Sequence, residues 1–321
     1  GPNSTELAIH IGHERAGWRG LVVAGACFIL PAVAIVSVLA WAYVRFGMLP
    51  ELAGAMYGVK PVIIAVVVQA LWGLARTAIK SAVLGAVATA ALAAALVGVD
   101  ELAVLGAAGA IAAIVHRVRT RQPPALGWLP LPLLGAGATA TTTTAATVGL
   151  WPLFLVFLKV GAVLFGSGYV LLAFLRGDLV ERLHWLTESQ LLDAVAVGQF
   201  TPGPVFTTAT FVGYLVDGPA GAGVATVGIF LPAFVFVAIS GPLVPRMRRS
   251  PTAGAVLDGV NAASLALMAA VTLRLGAAAL VDAPTIVLAA VSAVVLIRYK
   301  PNSAWLVLAG AVVGAALSYL R

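Results

Sequence analysis

Nine apolar runs follow one another along the chain, at about 20–44, 61–76, 81–98, 102–115, 151–175, 219–240, 256–275, 284–298 and 304–320, separated by short loops. Runs of this kind can satisfy their backbone polar groups in lipid only as helices, so they predict an all-α polytopic membrane protein. Composition agrees: 61% of residues are hydrophobic, 10% are charged, and the mean hydropathy is +1.05. Soluble domains carry about a quarter charged residues. Several runs fall short of the ~20 residues that a bilayer core requires. Spans this rich in Ala and Gly pack inside bundles through close backbone approach, and Gly310 with Gly314 marks one such contact face. The net charge of +7 is no nucleic-acid footprint, because the basic residues sit in short loops between apolar runs. A single cysteine, Cys27, excludes internal disulfides and cysteine metal clusters.

The chain also repeats itself. Gly1-Pro2-Asn3-Ser4-Thr5 returns as Gly203-Pro204-Val205-Phe206-Thr207, an offset of 202 residues. Phe28-Ile29-Leu30-Pro31-Ala32 answers Ile229-Phe230-Leu231-Pro232-Ala233, and Gly58-Val59 answers Gly259-Val260, both at offset 201. These matches predict a tandem duplication, with a first repeat at 1–121, a linker at 122–149 and a second repeat at 150–321. The second repeat then has a leading piece, roughly 150–202, without a counterpart in the first. With no initiator Met, the expectation is a chain that lacks a leading span and half-helix of its first repeat, and that does not transport by itself.

Loop charges set orientation, since cytoplasmic loops gather Lys and Arg. His116 to Arg121 is the most basic stretch and is placed in the cytoplasm. Walking out from it puts Arg15, Arg19, Arg76, Lys80, Arg246–Arg249, Arg298 and Lys300 inside, and Asp100, Glu101, the loop 176–184, Asp217 and Asp282 outside. Equivalent loops of the two repeats therefore carry opposite charge and lie on opposite sides. That is the expectation for inverted repeats, the architecture of secondary transporters with a site at the midplane. The linker, marked by Pro123-Pro124, Pro130, Pro132 and the run Thr141–Thr144, reads as a cytoplasmic connection. Gly135-Ala136-Gly137 lacks the βαβ context of a nucleotide loop, and no Gly-x-x-x-x-Gly-Lys-Ser/Thr occurs.

The repeated Gly-Pro phrase carries the chemistry. Two short stretches, 187–199 and 204–216, flank Phe200-Thr201-Pro202-Gly203-Pro204 and begin and end on the same side, which predicts a re-entrant hairpin broken inside the membrane. Pro204 is expected at the first helical position and Gly203 at its cap. The unpaired N–H groups there would face the break with roughly half a positive charge, joined by Gln199, Thr201, Pro202 and Thr207. Gly1, Pro2, Asn3, Ser4 and Thr5 would supply a second such start, so that two opposed helix N-termini hold one anion. Lys159, about eight residues into its run, is the buried cation, beside Gly166, Ser167 and Gly168. Asp193 is the candidate partner of Lys159 or a proton carrier. Glu6 and His10, one helical turn apart, are candidate coupling residues. Lys60 and Arg274 lie near helix ends and are expected to reach the membrane surface. No metal or redox cofactor is expected.

Phe157-Leu158-Lys159-Val160-Gly161-Ala162-Val163-Leu164-Phe165-Gly166-Ser167-Gly168-Tyr169 and Gly198-Gln199-Phe200-Thr201-Pro202-Gly203-Pro204 resemble signature stretches of the chromate ion transporter family of bacterial inner membranes. Gly1-Pro2-Asn3-Ser4-Thr5-Glu6 resembles the first-half equivalent, and Ser167 stands where family members often have Gly. The resemblance implies two oppositely oriented halves and efflux of chromate, with sulfate as a competitor. The expected partners are the oxyanion, the lipid bilayer and a second copy of the chain, with no nucleic acid. With a negative cytoplasm, expelling two charges gains about 4.6 kcal/mol per 100 mV, so export needs no ATP. A sulfate or other anion carrier of the same architecture remains an alternative. So does a membrane oxidoreductase that detoxifies chromate, against which stand the single cysteine and the absence of a cofactor fingerprint.

Overall fold

The computed structural model describes residues 2–46, 50–120, 149–163, 171–201, 203–248, 250–299 and 301–319. Almost all of the expected linker, 122–148, lies outside them. The elements are α1 (Pro2–Phe46), α2 (Pro50–Ala78), α3 (Ala82–Val97), α4 (Glu101–Thr120), α5 (Leu150–Val163), α6 (Leu171–Leu175), α7 (Glu188–Phe200), α8 (Thr208–Arg248), α9 (Pro251–Ala279), α10 (Ala283–Tyr299) and α11 (Ser303–Tyr319). Among the described residues every regular element is helical. Ser4–Phe46, Gly54–Ala78, Glu101–Thr120, Val205–Ile239 and Pro251–Ala279 are long and apolar enough to cross a bilayer. The protein is an all-α, multi-pass membrane protein.

α1 and α8 are each two helices joined by a reversal. α1 leaves helical geometry at Ala16 (φ −143°, ψ 23°) and Gly17 (φ 57°, ψ −141°). α8 does so at Asp217 (φ −149°, ψ 41°) and Gly218 (φ 56°, ψ −148°). The second residue of each pair holds a conformation open essentially only to glycine. The limbs fold back antiparallel: Ile9 lies against Gly25, Gly12 against Gly20 and Ala24, and Gly213 against Gly221 and Ala225. Thr210 and Thr226 hydrogen-bond at 2.8 Å across the second reversal. The expected runs 20–44 and 219–240 are therefore the long limbs of two hairpins.

The sequence offset of 201 recurs in the backbone. It relates Ala16-Gly17 to Asp217-Gly218, both ends of α2 to both ends of α9, and the start of α3 to that of α10. Packing crosses between the halves. α2 lies antiparallel to α11, with Gly54 against Ser318 and Gly58 against Gly310 and Gly314. α9 lies on α4, with Gly259 against Ala108 and Ala112. The expected contact face at Gly310 and Gly314 is thus a seam between halves, where a Cβ on either glycine would strike the α2 backbone.

The expected span 151–175 requires correction. α5 ends at Val163 and α6 begins at Leu171, yet Lys159 Nζ lies 2.9 Å from Asp178 Oδ2. Along one continuous helix those residues, 19 apart, would be separated by about 28 Å, so they do not belong to one straight span. Most of the expected loop 176–184 is helical. Arg176–Arg182 forms a π-helical turn, with Asp178 and Leu179 buried. Its many charges mask the apolar side made by Leu175, Leu179 and Leu186, all at or below 5% exposure.

Candidate functional site

α7 starts at a capping box, in which Thr187 accepts from the Gln190 N–H at 3.1 Å and Gln190 Oε1 accepts from the Thr187 N–H at 2.9 Å. It ends at Phe200. Gly198 lies against the Thr208 hydroxyl. Had the helix run on, those residues would lie about 15 Å apart, so the chain reverses between α7 and α8. The two expected stretches, 187–199 and 204–216, correspond to α7 and to the short limb that begins with the 3-10 turn Val205–Thr207. The expected roles of Gly203 and Pro204 need correction. Pro204 is not the first helical residue; with extended backbone (φ −70°, ψ 134°) it is the cap of that 3-10 turn. The cause is a tight turn: the N–H and the hydroxyl of Thr207 both donate to the Pro204 carbonyl, at 3.0 and 2.9 Å. Gly203 precedes the cap at φ 153°, and any Cβ there would collide with Ala32 of α1. The first N–H groups of the turn open towards the break, as at any helix start.

Four buried threonines surround this break: Thr201, Thr207, Thr208 and Thr210. A hydroxyl has one hydrogen to donate. Thr201 gives its hydrogen to the Val197 carbonyl at 2.8 Å, Thr207 gives its own to Pro204, and Thr210 shares one with Thr226. The Thr208 hydroxyl, on a residue with 0% exposure, has no partner. A buried hydroxyl left in this state costs about 1–3 kcal/mol. Thr5, from the first Gly-Pro phrase, shows the same condition at 1% exposure. Sequence placed hydroxyls here but could not tell which were already engaged by backbone. Gln199 sits in the last turn of α7, while Pro2, Asn3 and Ser4 open α1. Gly1, Gly166, Ser167, Gly168 and Pro202 lie outside the described residues.

The buried charges pair differently from expectation. Lys159 does not meet Asp193; it binds both oxygens of Asp178, at 3.0 and 2.9 Å, and Arg182 reaches the same carboxylate at 3.1 Å. Asp178 follows α6, and its contact with Lys159 is one that a straight span forbids. Asp193 instead faces Lys60 of α2 at 3.4 Å and accepts from the Tyr43 hydroxyl of α1 at 2.8 Å. Besides Asp193, the Lys60 ammonium reaches the start of α7, where it donates to the exposed Ser189 at 2.5 Å. Arg274 bridges two exposed partners, Glu181 at 2.7 Å and the Leu96 carbonyl at 2.9 Å. It lines a cavity of about 330 Å³ with Glu101, Arg176, Asp178, Glu181 and Arg182. His10 pairs with Glu14 at 3.2 Å rather than with Glu6, and both partners are substantially exposed. Sequence reasoning missed Tyr43, Asp178 and the pairing of Lys60, because each depends on contacts between distant helices.

Comparison with known proteins decides the class. Residues 1–114 and 151–315 match the family described as chromate transporter. The chain belongs to the chromate transporter family. It is 34% identical to the chromate transport protein of Cupriavidus metallidurans over 326 residues, covering 99% of this chain and 80% of that protein. It is 32% identical to the probable chromate transport protein of Synechococcus elongatus, covering 89% of this chain and 73% of that one. Identity to the chromate transport protein of Pseudomonas aeruginosa is 33%, with coverage of 86% and 68%. No solved structure matches the chain. The family match passes over 115–150, where the expected linker lies.

Proposed function

We propose that this protein is a secondary transporter that carries chromate out of the cytoplasm across a bacterial inner membrane, and that the anion is held at the break between α7 and α8. The carrying observation is the buried, unpartnered Thr208 hydroxyl at a helix start within a re-entrant hairpin. A tetrahedral dianion needs donors and no acceptors, and a helix start with a free hydroxyl offers donors. The names of the relatives supply the substrate.

The working architecture is two inverted copies. Antiparallel packing of α2 on α11 supports it: α11 is the counterpart of α4, and two reversals separate α2 from α4. Long-range contacts also join residues that loop charge assigns to one side. Tyr57 binds Asp282 at 2.7 Å and Arg274 binds the Leu96 carbonyl on the outer side, while Lys80 binds Asp258 at 3.0 Å on the inner side. Outward movement of a dianion gains about 4.6 kcal/mol per 100 mV, which is sufficient drive without ATP.

Everted membrane vesicles, whose lumen is the former exterior and which carry the protein expressed from its complete gene, test this reading. They are expected to accumulate labelled chromate when the lumen is positive, to lose it on collapse of the potential, and to release it still hexavalent. Accumulation only in right-side-out vesicles would contradict export. Recovery of reduced chromium would favour an enzyme. Uptake of labelled sulfate in preference to chromate would change the substrate and leave the class.

A further inference from the structure

Among the described residues two carboxylates are less than one-twentieth exposed, Asp178 and Asp193, and their surroundings differ. Asp178 has two cations, Lys159 and Arg182, within 3.1 Å. Asp193 has one cation, Lys60, at 3.4 Å and outside hydrogen-bonding geometry. Its Oδ2 accepts from the neutral Tyr43 hydroxyl, and its Oδ1 accepts no hydrogen bond at all. Among the elements packed on α7, the short limb of α8 and α11 carry no charged side chain, and the charges of the π-helical turn and α9 are paired elsewhere: Arg176 with Glu181 and Glu188, Arg182 with Asp178, Asp258 with Lys80 and Arg274 with Glu181. Among the described residues, Lys60 is the only cation paired with Asp193. Asp193 and Thr201 lie eight residues apart along α7, so an anion moving along this helix between its outer end and the break passes the Lys60 ammonium.

We propose that Tyr43, Asp193 and Lys60 form a proton-linked charge switch: when the oxyanion takes Lys60, Asp193 takes a proton. The inference rests on the transport reading above and deepens it. Lys60 can neutralise Asp193 or a passing dianion, but not both. An aspartate deprived of its only cation in this buried position binds a proton, because an isolated buried charge is far costlier than a neutral acid. By linkage, the proton then favours anion binding as much as the anion favours proton binding. Proton and dianion travel together, and one net negative charge crosses per cycle where a bare dianion would carry two. The proton comes from water on the cytoplasmic side and is returned on the outer side, so Asp193 is regenerated.

The charge carried per anion tests this directly. In proteoliposomes of the purified protein, expressed from its complete gene, with equal pH on both sides, chromate should distribute tenfold per about 59 mV, the one-charge slope. Asp193→Asn, which is neutral throughout, should steepen this to tenfold per about 30 mV. Asp193→Glu should restore the one-charge slope. At zero voltage a tenfold proton gradient should drive tenfold chromate accumulation through the wild type and none through Asp193→Asn. A two-charge slope in the wild type would overturn the proposal. So would a one-charge slope in Asp193→Asn, which would mean that the proton rides on the anion. Absence of any chromate flux through the wild type would instead remove the transport reading, and the same slopes measured with sulfate would then judge the switch.

Discussion

The reversals at Ala16-Gly17 and Asp217-Gly218 agree in backbone dihedrals to within about 20° yet sit in different chemistry. The second limb presents Thr207, Thr208 and Thr210, all at 0% exposure, to its surroundings. The first carries Glu6, His10 and Glu14, and the latter two form an ion pair open to the surroundings. The shared part is what a glycine at positive φ and a glycine pair across the turn dictate. The divergent part is what the side chains add. In the reading proposed above, the anion is held beside the second reversal's short limb, so a shared backbone need not carry a shared site.

The comparison breaks first at Gly203. Gly203→Leu should reduce chromate transport to background while leaving the protein in the membrane, because Ala32 occupies the space and the backbone is at φ 153°. Vesicle uptake alongside immunoblotting reads this; wild-type transport would detach the break from the function. Thr208→Val should come next, weakening chromate binding about tenfold through loss of one hydrogen bond to a charged group. Thr5→Val, assayed alongside, asks whether the first copy contributes a donor as well.

Gly17→Ala and Gly218→Ala should each destabilise by about 1–3 kcal/mol, and by similar amounts, since both hold the same disfavoured conformation. Thermal unfolding in detergent measures this, and a large difference would show that the two reversals are not equivalent. Thr201→Val should do less than Thr208→Val, because its hydrogen is already placed on the Val197 carbonyl. His10→Ala should do least, within the 0–1 kcal/mol that exposed pairs contribute, with transport unchanged.

Much of this was legible in the sequence for identifiable reasons. Apolar runs fixed the helices, since lipid leaves the backbone no other solution. Gly and Pro at a constant offset pointed to the spacing at which helix ends and reversals recur, because those residues mark backbone features that survive changes of side chain. The reversals escaped notice: Gly17 and Gly218 are two glycines among 34, and nothing local says which ones leave the helical region. The span 151–175 misled because hydropathy cannot see that two apolar stretches do not form one straight helix. Lys159 was identifiable as an unusual charge, but its partner Asp178 looked like part of a surface loop. Tyr43 and Lys60 gained meaning only when α1, α2 and α7 met at Asp193.

Binding at the break is the central claim, and equilibrium binding of labelled chromate to purified protein tests it without assumptions about energy source or direction. Wild type should bind saturably. Gly203→Leu, with unchanged helical content and unfolding temperature, should not bind, and Thr208→Val should bind about tenfold more weakly. Equal binding by wild type and Gly203→Leu would contradict the account and move the site away from the α7–α8 break.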